Sequence, residues 1–379
     1  MHELIIHGSC EEQFRPVAKA FLENFLEEQE IGASFCVYFE GRKVIDLWGG
    51  HANAHRSKPW GQDTLVNVWS TTKGMMALCV ARLAAQGLLD MDRPVAFYWP
   101  EFGANGKEAV TVAQLFSHQA GLCGPNRPLT QAEMLDTDAV ANLMAAQAPH
   151  WPVGARSGYH ALSIGPLGDG LFKRVVGKTV GEYFRDELAV PLGIDFHIGL
   201  PESEDTRVAE LVHDGNPQSG GPDAFNEFQH LAQGNMPVTA DMGNTRAWRA
   251  QGTPSAAGQA NARSIATIYS ALATDRTIAG IELVAASALN RATSLQIENE
   301  DLVLRCPMTW GIGFALNAGL KVYGRNANAF GHHGWGGSFG FADPTARLGV
   351  GYAMNFMREM TDRPDPRMTS LVNSVYASL

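Results

Sequence analysis

The sequence predicts an α/β (α+β) fold in which an antiparallel sheet flanked by helices is built from the two ends of the chain and a mainly helical domain is inserted between them. Three observations predict it. Strand patterns lie at residues 34–48 and again at 311–316 and 348–354, the stretch between the two ends is dominated by apolar residues at three- and four-residue steps, and 40 Gly and 19 Pro punctuate both kinds of segment. The expected division is residues 1–69 with 300–379 for the α/β domain and residues 70–299 for the helical domain with its pocket loops. At 379 residues, 45% hydrophobic and 18% charged, the chain is long and apolar enough to bury a substantial core.

Over residues 11–30, Phe14, Val17, Ala18, Phe21, Leu22, Phe25 and Leu26 recur at helical steps, which predicts an amphipathic helix in need of a surface to cover. Residues 34–39 and 44–48, joined through Glu40-Gly41-Arg42 and closed by Gly49-Gly50, read as the antiparallel hairpin that supplies it. From Ser70 the pattern turns helical again, with Met76, Cys79, Val80 and Leu83 on one face and Gly87 placed to end the element. Further helices are expected near residues 112–116, 139–146, 171–176, 180–188 and 265–272, separated by loops such as the Gly- and Pro-rich 215–222, which is placed to line a pocket mouth. Strand character returns at 311–316 and 348–354, and a last helix is expected over about 367–378.

The formal charge is -10 with a pI near 5.6, and Lys and Arg are scattered without basic runs, so a nucleic-acid partner is not expected. The first residues lack the positive start and apolar stretch of a signal peptide, and no run reaches the length of a membrane span; the expectation is a soluble cytoplasmic protein with no membrane partner. Cys10, Cys36, Cys79, Cys123 and Cys306 are odd in number and form no Cys-x-x-Cys pair, which predicts reduced, mostly buried thiols and neither a disulfide framework nor structural zinc. His332-His333 has no carboxylate at helical spacing and the chain holds no His-Glu-x-x-His, so neither a metal nor any other cofactor is expected. Oligomeric state has no signature here.

Ser70-Thr71-Thr72-Lys73 is the one Ser-x-x-Lys in the chain, and on a helix a three-residue step puts both side chains on one face. A hydroxyl is a weak nucleophile until a base takes its proton, and a lysine becomes that base when burial disfavours its charged form. Trp69, Met75 and Met76 offer the apolar setting; the plain structural reading is a helix-capping serine beside a solvated lysine. A rival nucleophile is Ser338, because Gly336-Gly337-Ser338-Phe339-Gly340 matches Gly-x-Ser-x-Gly. That elbow needs a helix after it, whereas Phe341-Ala342-Asp343-Pro344 suits a strand and a turn.

Several segments agree with the Ser-x-x-Lys in order: Leu115-Phe116-Ser117-His118-Gln119-Ala120-Gly121-Leu122, Tyr159-His160-Ala161, Pro191-Leu192-Gly193 and His333-Gly334-Trp335-Gly336-Gly337-Ser338. Together they resemble the serine β-lactamase (class C) and penicillin-binding-protein superfamily, and within it the family VIII carboxylesterases. The resemblance implies the β-lactamase/transpeptidase-like fold, acylation of Ser70, a general-base role shared by Lys73 and Tyr159, and an oxyanion hole made by the backbone N–H groups of Ser70 and Ser338. It also implies substrate contacts from Trp335, Gly336, Gly337 and His333, and from Arg246 and Trp248 in Asn244-Thr245-Arg246-Ala247-Trp248-Arg249; a solvated basic face competes for the last pair.

Two departures stand out. Lactamases carry a lysine at the start of the third motif where this chain has Trp335, and commonly an asparagine where it has Ala161. Losing one charge-assisted bond to a lactam carboxylate costs about 1.5–3 kcal/mol, which favours neutral esters, with His332 or His333 as partial compensation. The expected function is therefore hydrolysis of a small-molecule ester with a short acyl chain through a Ser70 acyl-enzyme, with weak or no β-lactamase activity. A transacylase, D-amino-acid peptidase or amidase would use the same residues. The reading from another class, a catalytically silent scaffold, is opposed by the intact Ser70, Lys73 and Tyr159.

Overall fold

The computed structural model describes residues 5–213, 225–358 and 364–379. Nine strands make one antiparallel sheet: β1 (Ile6–Cys10), β2 (Gly32–Phe39), β3 (Arg42–Gly50), β4 (Ile297–Glu300), β5 (Pro307–Trp310), β6 (Ala315–Leu316), β7 (Phe330–His333), β8 (Phe339–Asp343) and β9 (Leu348–Met354). Their spatial order is β1-β3-β2-β9-β8-β7-β6-β5-β4, so the two ends of the chain meet where β9 pairs with β2, Val350 opposite Val37. The main helices are α1 (Arg15–Glu27), α2 (Thr72–Ala85), α3 (Thr137–Ala146), α4 (Ile164–Val176), α5 (Ala262–Ala273) and α6 (Pro366–Ala377).

All residues of β9 are buried because helices cover both of its faces, and side chains alternate between them. Gly349 and Gly351 face α5, where an added Cβ would meet Ser270 N at 2.1 Å and Ala262 O at 2.4 Å, so the helix lies directly on the strand. Tyr352 points the other way, toward Glu30 and α6, which packs beside α1. α5 thus belongs to the layer over the sheet although it lies in the middle of the sequence.

The hairpin, the strand at 348–354 and the expected helices all form. The first helix is shorter than its apolar pattern: a single 3-10 turn, Glu12–Phe14, precedes α1. The strand expected over 311–316 is broken. Gly311 N donates to Phe314 O at 2.9 Å and Gly313 takes a φ of 81°, so 311–314 is the bend that folds β5 back onto β6. A short apolar run reads alike for a buried strand and for a buried turn, and here the turn won. The loop 215–222 lies outside the described residues. Among the described residues no helix is long and apolar enough to cross a membrane, and Cys36, Cys79 and Cys123 are buried free thiols.

Candidate active site

Ser70 sits on a turn that the surrounding backbone over-determines. The short strand Val66–Asn67 pairs with Gly258–Ala260, Val68 N donates to Gly258 O at 2.9 Å, and Thr71 N closes back on Val68 O at 3.1 Å. The resulting 3-10 turn, Trp69–Thr71, feeds α2, so Ser70 precedes the helix and Lys73 lies in its first turn. Trp69 takes a left-handed φ of 45°, an uncommon state for a bulky residue that costs about 1–3 kcal/mol. Its ring is wedged between Trp335, 4.8 Å away between centroids, and Trp248 at 5.6 Å, and Thr72 Oγ1 donates to its carbonyl.

Lys73 is 1% exposed and has no carboxylate within ion-pair distance among the described residues. Its Nζ lies 2.7 Å from Ala161 O, 2.7 Å from Ser255 O and 2.9 Å from Ser70 Oγ. Carbonyl oxygens only accept, so they take two of the amine's hydrogens. In the neutral amine the remaining tetrahedral direction is the lone pair, and the group left facing it is the Ser70 hydroxyl. Burial pulls the Lys73 pKa well below the usual lysine range, which favours that neutral form.

Tyr159 stands on the other side of the amine, its ring centroid 4.9 Å from Nζ. It is stacked on Trp310, with centroids 5.6 Å apart and planes within 2°, and bounded by the rings of His118 at 5.0 Å and His332 at 6.1 Å. Burial pushes the phenol pKa up, opposed by a hydrogen bond with Ser70, so Tyr159 rests protonated and within reach of the Ser70 hydroxyl. The three imidazoles around it are neutral. Burial draws His118 and His332 well below the histidine range and takes His160 to about 3. His332 Nδ1 donates to His333 O at 2.9 Å, and its Nε2 has no hydrogen-bond partner among the described residues.

The third segment is the turn between β7 and β8. Ser338 Oγ donates to Val68 O at 2.8 Å and lies 3.0 Å from Thr71 Oγ1, so its hydroxyl ties this turn to both flanks of Ser70. Strand β8 follows it directly, which is the wrong context for a nucleophile elbow. From beneath, the turn is clamped by Arg367: Nη2 donates to Gly336 O at 2.6 Å, while the same guanidinium pairs with Glu30 at 2.9 Å and Asp365 at 2.7 Å. Gly337, at a φ of 128°, leaves room for it, since a Cβ there would stand 2.4 Å from Arg367 Nη2.

The structure thus brings Ser70, Lys73 and Tyr159 together, with Ser338 tied to the flanks of Ser70, Trp335 against Trp69 and His332 against Tyr159, while Gly336 and Gly337 lie on the side of the turn that faces Met357 and Arg367. Trp335 presents a half-buried indole edge to Trp69. Trp248 is buried behind Trp69 with its indole N–H on Asn67 Oδ1 at 3.1 Å, and Arg246 is engaged by Asp205 and the Leu200 carbonyl. Sequence reasoning did not find Asp301, Trp310, Ser255 or Arg367. The carbonyl of Ser255 carries no signature of residue identity, and the other three act across separations of 9 to 337 positions.

Compared with known proteins, residues 18–372 match the Beta-lactamase family model. The chain is 36% identical over 368 residues to the esterase/beta-lactamase LipL of Mycobacterium tuberculosis, covering 92% of this chain and 82% of that protein. Among solved structures it is 44% identical to a family VIII carboxylesterase, with a TM-score of 0.93 over 99% of this chain and 100% of the other. A penicillin-binding-protein homologue from Caulobacter crescentus is 41% identical, with a TM-score of 0.92 over 99% and 100% of the two chains.

Proposed function

The chain belongs to the beta-lactamase family of serine hydrolases, and from that premise we propose that it hydrolyses short-chain carboxylic esters through an acyl-enzyme on Ser70. The observation that carries the reading is the Lys73 amine, buried with no counter-ion among the described residues, its hydrogens directed at two carbonyls and its third direction 2.9 Å from Ser70 Oγ. Neutral Lys73 takes the Ser70 proton as Oγ attacks the ester carbonyl carbon, the C=O electron pair moving onto oxygen. The N–H groups of Ser70 and Ser338 hold that oxyanion, at a turn that Arg367 and the Ser338 hydroxyl keep in place. As the tetrahedral intermediate collapses, the C–O bond to the alcohol breaks and the proton passes from Lys73 through the Tyr159 phenol to the departing oxygen. Water then attacks the acyl-enzyme by the same route, giving the acid and restoring Ser70.

Esters are preferred over β-lactams in this reading because Trp335, packed on Trp69, offers an apolar surface where a lactam carboxylate needs a cation, and Arg246, the arginine expected in the pocket, is held by Asp205. The 44%-identical family VIII carboxylesterase supports the same side of the family, while the name of LipL carries both activities. Steady-state hydrolysis of p-nitrophenyl acetate and butyrate, set beside nitrocefin, tests it. Ester turnover with kcat/KM about ten- to a hundredfold above that for nitrocefin is expected, a gap set by the loss of one charge-assisted bond. The reverse preference would make the protein a lactamase, and no turnover of either would favour the silent scaffold.

A further inference from the structure

We propose that Asp301 is the positioning residue for Tyr159: one carboxylate fixes both the backbone of the tyrosine and the indole wall against which its ring is stacked, and so sets the path of the proton to the leaving alcohol. The inference rests on the reading of Tyr159 given above.

Asp301 lies between β4 and β5 and is 1% exposed. Its Oδ1 accepts from the backbone N–H of Tyr159 at 2.9 Å and of Val303 and Leu304 at 3.0 Å each. Its Oδ2 accepts from Ser157 Oγ at 2.7 Å and from Trp310 Nε1 at 3.3 Å. No cation lies within ion-pair distance of it among the described residues. An isolated buried carboxylate is expensive unless donors surround it, and here they do.

The local turn at 301–304 explains only part of this arrangement. Capping Val303 and Leu304 needs a single acceptor oxygen, which an asparagine or serine supplies as well. The second oxygen looks across the fold, to Ser157 and to the indole N–H, and an indole can only donate. An amide turning its NH₂ to this side could use the Ser157 hydroxyl as an acceptor but would set donor against donor at the indole. Only an acceptor-only group satisfies all of them at once.

What these donors share is Tyr159. Its backbone is held through Oδ1 and the Trp310 ring that stacks on it through Oδ2, so both halves of a sandwich with planes 2° apart hang on one carboxylate. The segment before Tyr159 is stitched to the same connection, with Ser157 N donating to Asn299 Oδ1 at 3.2 Å and Leu302 N to Ser157 O at 3.0 Å. Asp301 therefore holds the backbone of Tyr159 and the indole it stacks on in one arrangement.

Leaving-group dependence separates this role from simple support of the fold. An alkoxide cannot depart without a proton, whereas p-nitrophenolate can, so misplacing the proton donor should hurt ethyl butyrate far more than p-nitrophenyl butyrate. Both esters give the same acyl-enzyme, and kcat/KM reports acylation in each case. For Asp301→Asn, kcat/KM should fall roughly a hundredfold on the ethyl ester and less than about fivefold on the p-nitrophenyl ester. Trp310→Phe, which keeps an aromatic face but loses the N–H together with the fused five-membered ring, should show the same signature. Equal losses on both esters in either variant would overturn the proposal, and Trp310→Phe decides alone if Asp301→Asn does not fold. Tyr159→Phe calibrates the test: a leaving-group effect there but not in the Asp301 and Trp310 variants rejects this inference only, while its absence in Tyr159→Phe rejects the parent reading and this one with it.

Discussion

Replacing Arg367 by methionine removes a guanidinium that is fully buried and donates to Glu30 Oε2 at 2.9 Å, Asp365 Oδ2 at 2.7 Å, Phe356 O at 2.8 Å and Gly336 O at 2.6 Å. Methionine fills much of the volume, so the loss is polar. Breaking a buried ion pair from one side costs about 3–5 kcal/mol, and each carbonyl left without a donor adds about 1–3 kcal/mol, not additively. A total near 5 kcal/mol is expected against a whole-protein stability of about 5–15 kcal/mol. Its pH dependence follows from Glu30, whose carboxyl burial already pushes up against the pull of Arg367. Without Arg367 that pKa rises further, and a raised carboxyl contributes stability that is present at low pH and lost as pH climbs through the folded-state value. Arg367→Met should therefore be much closer to wild type at pH 5 than at pH 8 in urea unfolding, where midpoint and slope are read together. Adding Glu30→Gln, which keeps an acceptor for the Tyr352 hydroxyl but carries no charge, should recover most of the loss at pH 8. Ester turnover should fall as well, because the carbonyl that anchors the Ser338 turn is released. A loss below about 1 kcal/mol that is the same at both pH values would refute the clamp.

Two further expectations follow from single buried groups. Lys73→Arg places a permanently charged guanidinium where a neutral amine is required, so kcat/KM for p-nitrophenyl butyrate should drop by about 10²–10⁴. Wild-type kcat/KM should rise with pH along a limb well below the ordinary lysine range, since burial lowers the Lys73 pKa, and that limb should vanish in the variant. Asp169, buried in α4 with its Oδ1 accepting from Val180 N at 2.8 Å, is pushed by burial up to about 7. Its stabilising proton is bound below the unfolded value and lost as pH rises to about 7, so Asp169→Asn, which keeps the acceptor, should raise the thermal midpoint at pH 8 and change it little near pH 4.

The parts of the site visible in the sequence are those made by local spacing. Ser70 and Lys73 are one helical step apart, and the turn residues Gly336 and Gly337 announce a backbone that other side chains avoid. The hairpin of β2 and β3 and the strand β9 were equally legible, because a long apolar run between turn signals has few alternatives. What could not be read is long-range or carried by the backbone. The carbonyls of Ala161 and Ser255 orient the Lys73 amine toward Ser70, yet any residue has a carbonyl. Asp301 looks like a loop aspartate until Tyr159, 142 positions earlier in the chain, is brought against it. The misread strand at 311–316 shows the same limit at short range, where only the pairing of β5 with β6 distinguishes an apolar bend from an apolar strand. Ser338 is the converse case, a local match to a nucleophile motif whose hydroxyl the fold uses as a tie.

The central claim is that Ser70 carries the acyl group, and covalent labelling tests it most directly: intact mass and peptide mapping after treatment with a serine-directed fluorophosphonate, on wild type, Ser70→Ala and Ser338→Ala. The account predicts one adduct on the peptide containing Ser70, retained in Ser338→Ala and absent from Ser70→Ala. Labelling that survives in Ser70→Ala and disappears in Ser338→Ala would contradict it and move the nucleophile to the turn between β7 and β8.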